Sequence, residues 1–185
     1  MSNINRKLFT YEDCLRMARS GVFSPDERVE LLNGEFVVMN PITPRHGAAV
    51  DGTSAALHEL LRGKAIIRTQ GTVVLDKYAA PLPDIAVLKP RADRYVRKNP
   101  AGPDILLLIE FAVSPLDYDM DIKLQLYAIT GVCEYWIADL ENDVLLVHTN
   151  PVKDAYESVR EFYAGDVVTP LALRDCELPV DLLLP

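Results

Sequence analysis

Two apolar runs near the middle of the chain give its clearest hydrophobic pattern. Residues 84–88 and 105–113 are dominated by Ile, Leu and Val, as in strands that are buried on both faces of a sheet. A helical pattern follows over residues 118–130, and two more strands are predicted over residues 133–138 and 144–148. A strand, a helix and a strand in this order predict a parallel pair that is joined by a right-handed crossover.

The N-terminal part of the chain predicts two helices that flank a β-hairpin. The first helix is predicted over residues 10–20, with Thr10 as its N-cap. Asn33-Gly34 lies between two alternating segments and predicts a two-residue hairpin turn. The second helix is predicted over residues 46–62.

Side chains alternate across the strands of this hairpin, so its acidic and hydrophobic residues separate. Glu30 and Glu35 share one face, which we expect to look outward or into a cleft. The other face is expected to be the core face, and it carries four apolar residues: Val29, Leu31, Phe36 and Val38.

Further strands are predicted over residues 65–69, 72–75 and 156–162. The order of elements therefore predicts the α/β class, with a mixed central sheet flanked by helices and an N-terminal helix and β-hairpin. At this length we expect a single domain over residues 1–185. The apolar tail, residues 178–185, should pack on the body or on a partner.

The composition, 49% hydrophobic and 25% charged, is typical of a soluble globular protein. No apolar run is long enough to span a bilayer, and the N-terminus has no apolar stretch like that of a signal peptide. We therefore expect no membrane association and a cytoplasmic location. The three cysteines are widely spaced and odd in number, which indicates neither a disulfide framework nor a zinc site.

The net charge of −8 argues against nucleic-acid binding, but one segment carries a local excess of basic residues. Residues 89–98 contain five basic residues and one acid. The segment fits two descriptions: a solvated loop, or a flexible arm that touches phosphates and offers Tyr95 for stacking on a base.

The candidate chemistry lies at the edges of the two central apolar runs. Asp84 and Glu110 each adjoin a run, and a carboxylate there is costly unless it is paired or binds a metal. Two such acids suit one hard cation such as Mg²⁺, which takes carboxylate oxygens and keeps several waters. Lys123, on the next helix, would orient a water and offset the charge that develops on a phosphate. The set predicts phosphodiester hydrolysis, with Glu35 as a further metal ligand, directly or through water.

Each candidate also has a purely structural alternative. Asp84 could cap the start of a strand, and Lys123 could form a surface ion pair with Asp119, four residues earlier. Tyr127 continues the same helical stripe and serves either packing or function. His46, at the start of the second helix, either contacts a phosphate or is a surface residue.

A set of short motifs follows one another in a definite order along the chain. They are residues 29–35 (VELLNGE), residues 41–46, Pro83-Asp84, Glu110 with Ser114-Pro115, Asp119, Lys123, Tyr127, Gly131 and Glu134-Tyr135-Trp136. No single motif is specific, but the ordered set resembles the Uma-type family of restriction endonucleases, which is assigned to the PD-(D/E)xK nuclease superfamily. The resemblance covers roughly residues 10–150.

The resemblance implies a restriction-endonuclease-like fold, a divalent metal (Mg²⁺ or Mn²⁺), DNA as the substrate and a homodimer. It implies Asp84 and Glu110 as the metal ligands, and both are catalytic together with Lys123. It also implies supporting roles for four residues: Glu35, His46, Asp119 and Tyr127.

One position departs from the superfamily signature, which has a lysine two residues after the second acid. Here that position is Ala112, and in the family that the chain resembles the lysine maps onto Lys123 of the next helix. Two functions therefore remain. The retained acids and Lys123 favour a metal-dependent endonuclease, whereas Ala112 and the acidic net charge favour a catalytically inactive nuclease-fold protein that acts as a binding or assembly module.

Overall fold

The computed structural model of the protein describes residues 6–24, 26–113 and 118–185, without the side chains of residues 118–120. Three α-helices lie in these ranges: α1 (Tyr11–Arg19), α2 (Pro44–Leu60) and α3 (Tyr118–Ile129). None of these helices is long and apolar enough to cross a membrane. Ser114 and Pro115 of the motif set fall outside the described residues.

The predicted hairpin is formed by strands β1 (Val29–Leu32) and β2 (Glu35–Val38). Its register is the predicted one, and Asn33 and Gly34 in the turn have φ of 51° and 79°. The prediction of one clean core face is wrong, because Glu30 is only 2% exposed and Val38 is 61% exposed. The reason is that β1 is covered on its acidic face too, where Leu32 packs with α3.

A central sheet of six strands forms the middle of the described chain, in the order β3-β4-β5-β6-β7-β8. Its strands are β3 (Ile66–Thr69), β4 (Ile85–Leu88), β5 (Ile105–Ala112), β6 (Glu134–Asp139), β7 (Val144–Val152) and β8 (Ala155–Phe162). Strands β5 and β6 are parallel and α3 lies between them in the chain, whereas all other neighbours are antiparallel. The predicted α/β class with a mixed central sheet is confirmed.

Helices cover both faces of this sheet. Successive side chains of β5 point to opposite faces, and each face packs in a separate hydrophobic core. Ile109 belongs to the core that contains Leu57 of α2. Leu108 belongs to the core that contains Tyr127 of α3. Glu110, two residues after Leu108, therefore projects toward α3, and this direction determines which helix can contact it.

Residues 72–75, which were predicted to be a strand, form none. The Val73 N–H donates to the Pro81 carbonyl and the Val74 N–H donates to the Pro100 carbonyl. Adjacent donors with partners on separate segments do not make a ladder between two strands. The segment therefore runs as an irregular connection between β3 and β4.

The basic segment after β4 is anchored, and the proposed stacking role of Tyr95 is wrong. Tyr95 is only 4% exposed and its hydroxyl donates to the Lys89 carbonyl at 2.9 Å. The Arg91 guanidinium lies 4.5 Å from the centre of the Tyr95 ring. A ring that is buried under its own loop has no free face for a base.

The C-terminal tail packs on the body of the protein. Strands β9 (Val167–Val168) and β10 (Leu178–Pro179) pair in antiparallel fashion. Leu178, Val180 and Leu183 are fully buried in the same core as α2. The tail therefore packs on the body of this chain and not on a partner, and it supplies no argument for a dimer.

Candidate active site

The central sheet brings Asp84 and Glu110 together. Asp84 immediately precedes β4, and Ile85 pairs with Ile109 in β5, so the two acids come opposite one another. The Asp84 N–H donates to Glu110 Oε2 at 3.3 Å, and the Phe111 N–H donates to Asp84 Oδ2 at 3.1 Å. Asp84 is 4% exposed and Glu110 is 2% exposed. Two carboxylates thus share one buried location, which a simple strand cap would not require.

Lys123 reaches this location from α3. Its ammonium lies 3.1 Å from Glu110 Oε1 and 3.0 Å from Glu30 Oε2. The alternative of a surface ion pair with Asp119 is wrong for Lys123, which is only 5% exposed and is bonded to two other acids. The Asp119 side chain lies outside the described residues, so its supporting role stays a prediction.

Tyr127 lies one helical turn after Lys123 and contacts the same carboxylate. Its hydroxyl donates to Glu110 Oε1 at 3.0 Å, and its ring is fully buried against Tyr135. Both alternatives considered for Tyr127 therefore hold at once, since it packs in the core and also orients a carboxylate of the site.

His46 contacts Asp84 from the first turn of α2. Thr43 is the N-cap of that helix, and its side chain accepts a hydrogen bond from the His46 N–H. His46 Nε2 lies 3.0 Å from Asp84 Oδ2, with 12% of the side chain exposed. The alternative of a plain surface residue is wrong, while contact with a phosphate stays a prediction.

Glu35 lies away from the acid pair, and Glu30 occupies the position that we expected for it. The Glu35 side chain is 62% exposed and pairs with Arg6 at 3.5 Å. Glu30 contacts Lys123, and its Oε1 accepts a hydrogen bond from the Leu82 N–H at 2.6 Å. The physical reason is that β1 packs against the body, whereas β2 is the outer strand of the hairpin.

Three residues near the site were not among the predicted ones. Glu30 carried a signal, because alternation places it on the same face as Glu35, but only its contacts distinguish the two. Gln70 lies with its side-chain amide 3.4 Å from Asp84 Oδ1, and Arg28 lines the same cleft. Neither residue has a local pattern that would reveal its role, because both positions depend on how distant segments meet.

Burial and like charges raise the pKa of Glu110 to about 7. Burial is the main cause, the Lys123 ammonium opposes it, and the charges of Asp84 and Glu30 add to it. For Lys123, burial disfavours the charged form, but Glu110 and Glu30 outweigh it and raise its pKa above the usual value. The hydrogen bond to Asp84 raises the pKa of His46.

The three acids Glu30, Asp84 and Glu110 line a small cleft of about 100 Å³ with Lys123 and His46. Three carboxylates face the Lys123 ammonium and the Arg28 guanidinium there, so the fixed charges still leave a negative excess that a further positive charge would offset. Within the described ranges, no group of three His, Cys, Asp or Glu side chains could hold a metal on its own. This does not conflict with Mg²⁺, which is usually bound through one or two carboxylates and keeps several waters.

The sequence of residues 11–181 matches the Uma2 family, whose description reads "Putative restriction endonuclease". The chain belongs to the Uma2 family. This match confirms the resemblance inferred from the motifs and extends it beyond residue 150 to the C-terminal strands. As a Uma2 protein, the chain is restriction-endonuclease-like. No curated protein matches it in sequence.

The fold of this Uma2 protein is similar to that of a solved structure from Anabaena variabilis, titled a "putative nuclease belonging to DUF820". The two share a TM-score of 0.74 and 15% sequence identity, over 95% of this chain and 97% of the other. At this identity the similarity concerns the fold alone, and it agrees with the predicted restriction-endonuclease-like architecture.

Proposed function

We propose that this Uma2 protein is an endonuclease that hydrolyses DNA phosphodiester bonds with the help of a divalent cation, Mg²⁺ or Mn²⁺. The observation that carries the proposal is the contact of the Lys123 ammonium with Glu110, at 3.1 Å. It supplies, from the next helix, the basic group that Ala112 lacks at the signature position. Asp84, Glu110 and a lysine thus meet in one buried cleft, as a nuclease requires.

The donor set fits a hard divalent cation. Asp84 and Glu110 would hold it, because both offer carboxylate oxygens in a cleft with an excess of negative charge. The raised pKa of Glu110, about 7, indicates that an ionised Glu110 is under-compensated without a further cation. When bound, a divalent cation polarises a phosphate oxygen and makes water a stronger nucleophile.

The side chains around the acid pair have distinct tasks in this proposal. Lys123 orients the attacking water and offsets the charge that grows on the phosphate in the transition state. Glu30 and the Tyr127 hydroxyl hold Lys123 and Glu110 in place, because each bonds one of them directly. His46 lies at the cleft wall and orients the Asp84 carboxylate through its Nε2.

A second candidate is a catalytically inactive nuclease-fold protein. The observation in its favour is that Lys123 already compensates two carboxylates, Glu30 and Glu110, without any metal. In such a protein the lysine would be a structural counterion only, and the cleft would have no need of a cation. The two candidates therefore differ in what a divalent metal does to the protein.

Cleavage of supercoiled plasmid in Mg²⁺ separates the two candidates. We expect the wild type to nick or linearise the plasmid, and Asp84→Asn and Lys123→Ala to be at least about a hundredfold slower under conditions in which circular dichroism shows each variant to be folded. Glu35→Gln is the control, because it neutralises an exposed acid that lies away from the acid pair. Full activity in Asp84→Asn would refute the assignment, and an inactive wild type would favour the second candidate.

A further inference from the structure

A second, larger groove runs beside strand β3, at the edge of the central sheet. β3 is the outermost strand of the sheet order, so one of its edges has no partner strand among the described residues. The groove has a volume of about 680 Å³ and lies between the C-terminal end of α2 and the loop after β4. Ala65, Ile66 and Ile67 form part of its lining. It is open and large enough for a segment of polymer.

The charged and titratable side chains that line this groove are all basic. They are His58, Arg62, Arg91 and Arg94. Arg91 is paired with Asp93 at 2.6 Å, but Arg62 and Arg94 form no ion pair within the described part of the chain. In a chain with a net charge of −8, such a concentration without a lining acid is unusual. The groove therefore suits a polyanion.

The loop that forms one wall of the groove is held in a defined conformation. Tyr95 is buried and bonded to Lys89, which fixes the turn that carries Arg91 and Arg94. Arg91 in turn lies over the Tyr95 ring. The arginines are thus presented by an anchored loop, and binding would not first require a flexible arm to become ordered.

Strand β3 runs from the groove toward the acid cleft, so the pairing of β3 with β4 gives the distance between them. Ile66 pairs with Leu88 at the far end of β4, and Gln70, which contacts Asp84, lies four residues beyond Ile66. Ile67 is the floor residue nearest the cleft and lies three residues before Gln70, so at about 3.3 Å per residue the groove floor begins about 10 Å from the level of Asp84. This length corresponds to about three base pairs of duplex rise.

We propose that this β3-edge groove binds the sugar–phosphate backbone of the DNA a few nucleotides away from the cleavage position. The proposal rests on the proposed nuclease function and deepens it, because it says how an acidic protein holds a polyanion. The other occupant that an edge strand suggests is a second copy of this chain. Two-fold pairing there would bring Arg62 and Arg94 near their own copies, and like charges disfavour that contact.

The test measures DNA binding separately from cleavage. Binding of a short fluorescein-labelled duplex is followed by fluorescence anisotropy in EDTA, over a series of salt concentrations. The double variant Arg62→Gln with Arg94→Gln should bind about tenfold or more weakly, with a salt slope that is smaller by about two. Arg62→Lys with Arg94→Lys should keep the slope, because a phosphate contact needs the charge.

A matched control removes the same charge at the opposite edge of the sheet. Lys153→Gln with Arg160→Gln changes two exposed residues of the β7–β8 hairpin and should leave affinity and slope unchanged. Equal binding by the wild type and the Arg62/Arg94 variant would overturn the groove assignment, whatever the plasmid assay shows. Absence of DNA binding by the wild type would overturn it too. Groove-dependent binding without any cleavage would support the groove and refute the nuclease function.

Sedimentation of the same proteins tests the other occupant. If the Arg62/Arg94 variant changes the oligomeric state but not the affinity for DNA, then the groove is an interface between copies and the proposal is wrong. If only the affinity changes, the proposal stands.

Discussion

Replacing Lys123 with Met would leave two buried acids without their shared counterion. Lys123 is only 5% exposed, and its ammonium lies within 3.1 Å of both Glu30 and Glu110. Removal of one partner of a buried ion pair typically costs about 3–5 kcal/mol, because the remaining charge is uncompensated. We expect a loss of this size in the free energy of unfolding of Lys123→Met, measured by urea denaturation in EDTA near pH 8.

The loss should depend on pH in a direction that the pKa of Glu110 fixes. That pKa is raised from 4.5 to about 7, so the folded protein binds the proton more tightly than the unfolded chain. Stability is therefore lost as pH rises from about 4.5 through about 7. Without Lys123 the pKa of Glu110 should rise further. The cost of Lys123→Met should accordingly be smaller near pH 5 than near pH 8.

Two further variants make this prediction specific. Lys98→Met removes the same charge from an exposed position and should change stability by no more than about 0.5 kcal/mol. Adding Glu30→Gln to Lys123→Met should recover part of the loss, because one of the two uncompensated acids is removed. If Lys123→Met is as stable as the Lys98→Met control at both pH values, then the buried bridge between Glu30 and Glu110 does not exist as described.

The remaining predictions concern the core, the pH response and the assembly. Glu134 accepts hydrogen bonds from Trp136 Nε1 and the Leu171 N–H, so Glu134→Leu should cost about 2–3 kcal/mol in urea denaturation; a neutral effect would contradict this. Burial lowers the pKa of His148 from 6.5, so the wild type should lose stability relative to His148→Phe as pH falls below about 6.5. A stability difference between the two proteins that does not change with pH would contradict the lowered pKa of His148. A homodimer remains our proposal from the need for two active sites to cut both strands, and a species of 20.6 kDa in sedimentation at micromolar concentration would refute it.

Local rules were sufficient for the elements whose signals are local. Thr10 caps α1 with Asp13 in a reciprocal capping box, and Asn33-Gly34 forms the turn that its residue types favour. The crossover from β5 through α3 to β6 followed from the order of apolar runs. Periodicity and cap chemistry act within a few residues, so the sequence carries them directly.

Features that depend on distant contacts could not be predicted in this way. Glu30 and Glu35 share a face and a residue type, yet only Glu30 is covered by the body of the protein. Tyr95 lies in a polar segment, which favours exposure, but its ring is buried and its hydroxyl donates to the Lys89 carbonyl. Lys123 could be proposed from its place on the helix after Glu110, but its spacing from Asp119 fitted an ordinary surface pair too, so local pattern did not decide between the two.

The most direct test of the central claim is a calorimetric titration of the protein with Mn²⁺, which needs no knowledge of the DNA target. If Asp84 and Glu110 form the metal centre, then the wild type binds Mn²⁺, Asp84→Asn loses that binding, and Glu35→Gln retains it. The melting temperature of the wild type should rise with the metal, because a ligand that binds only the folded state stabilises it. Equal binding by the wild type and Asp84→Asn, or no binding by the wild type, would contradict the account.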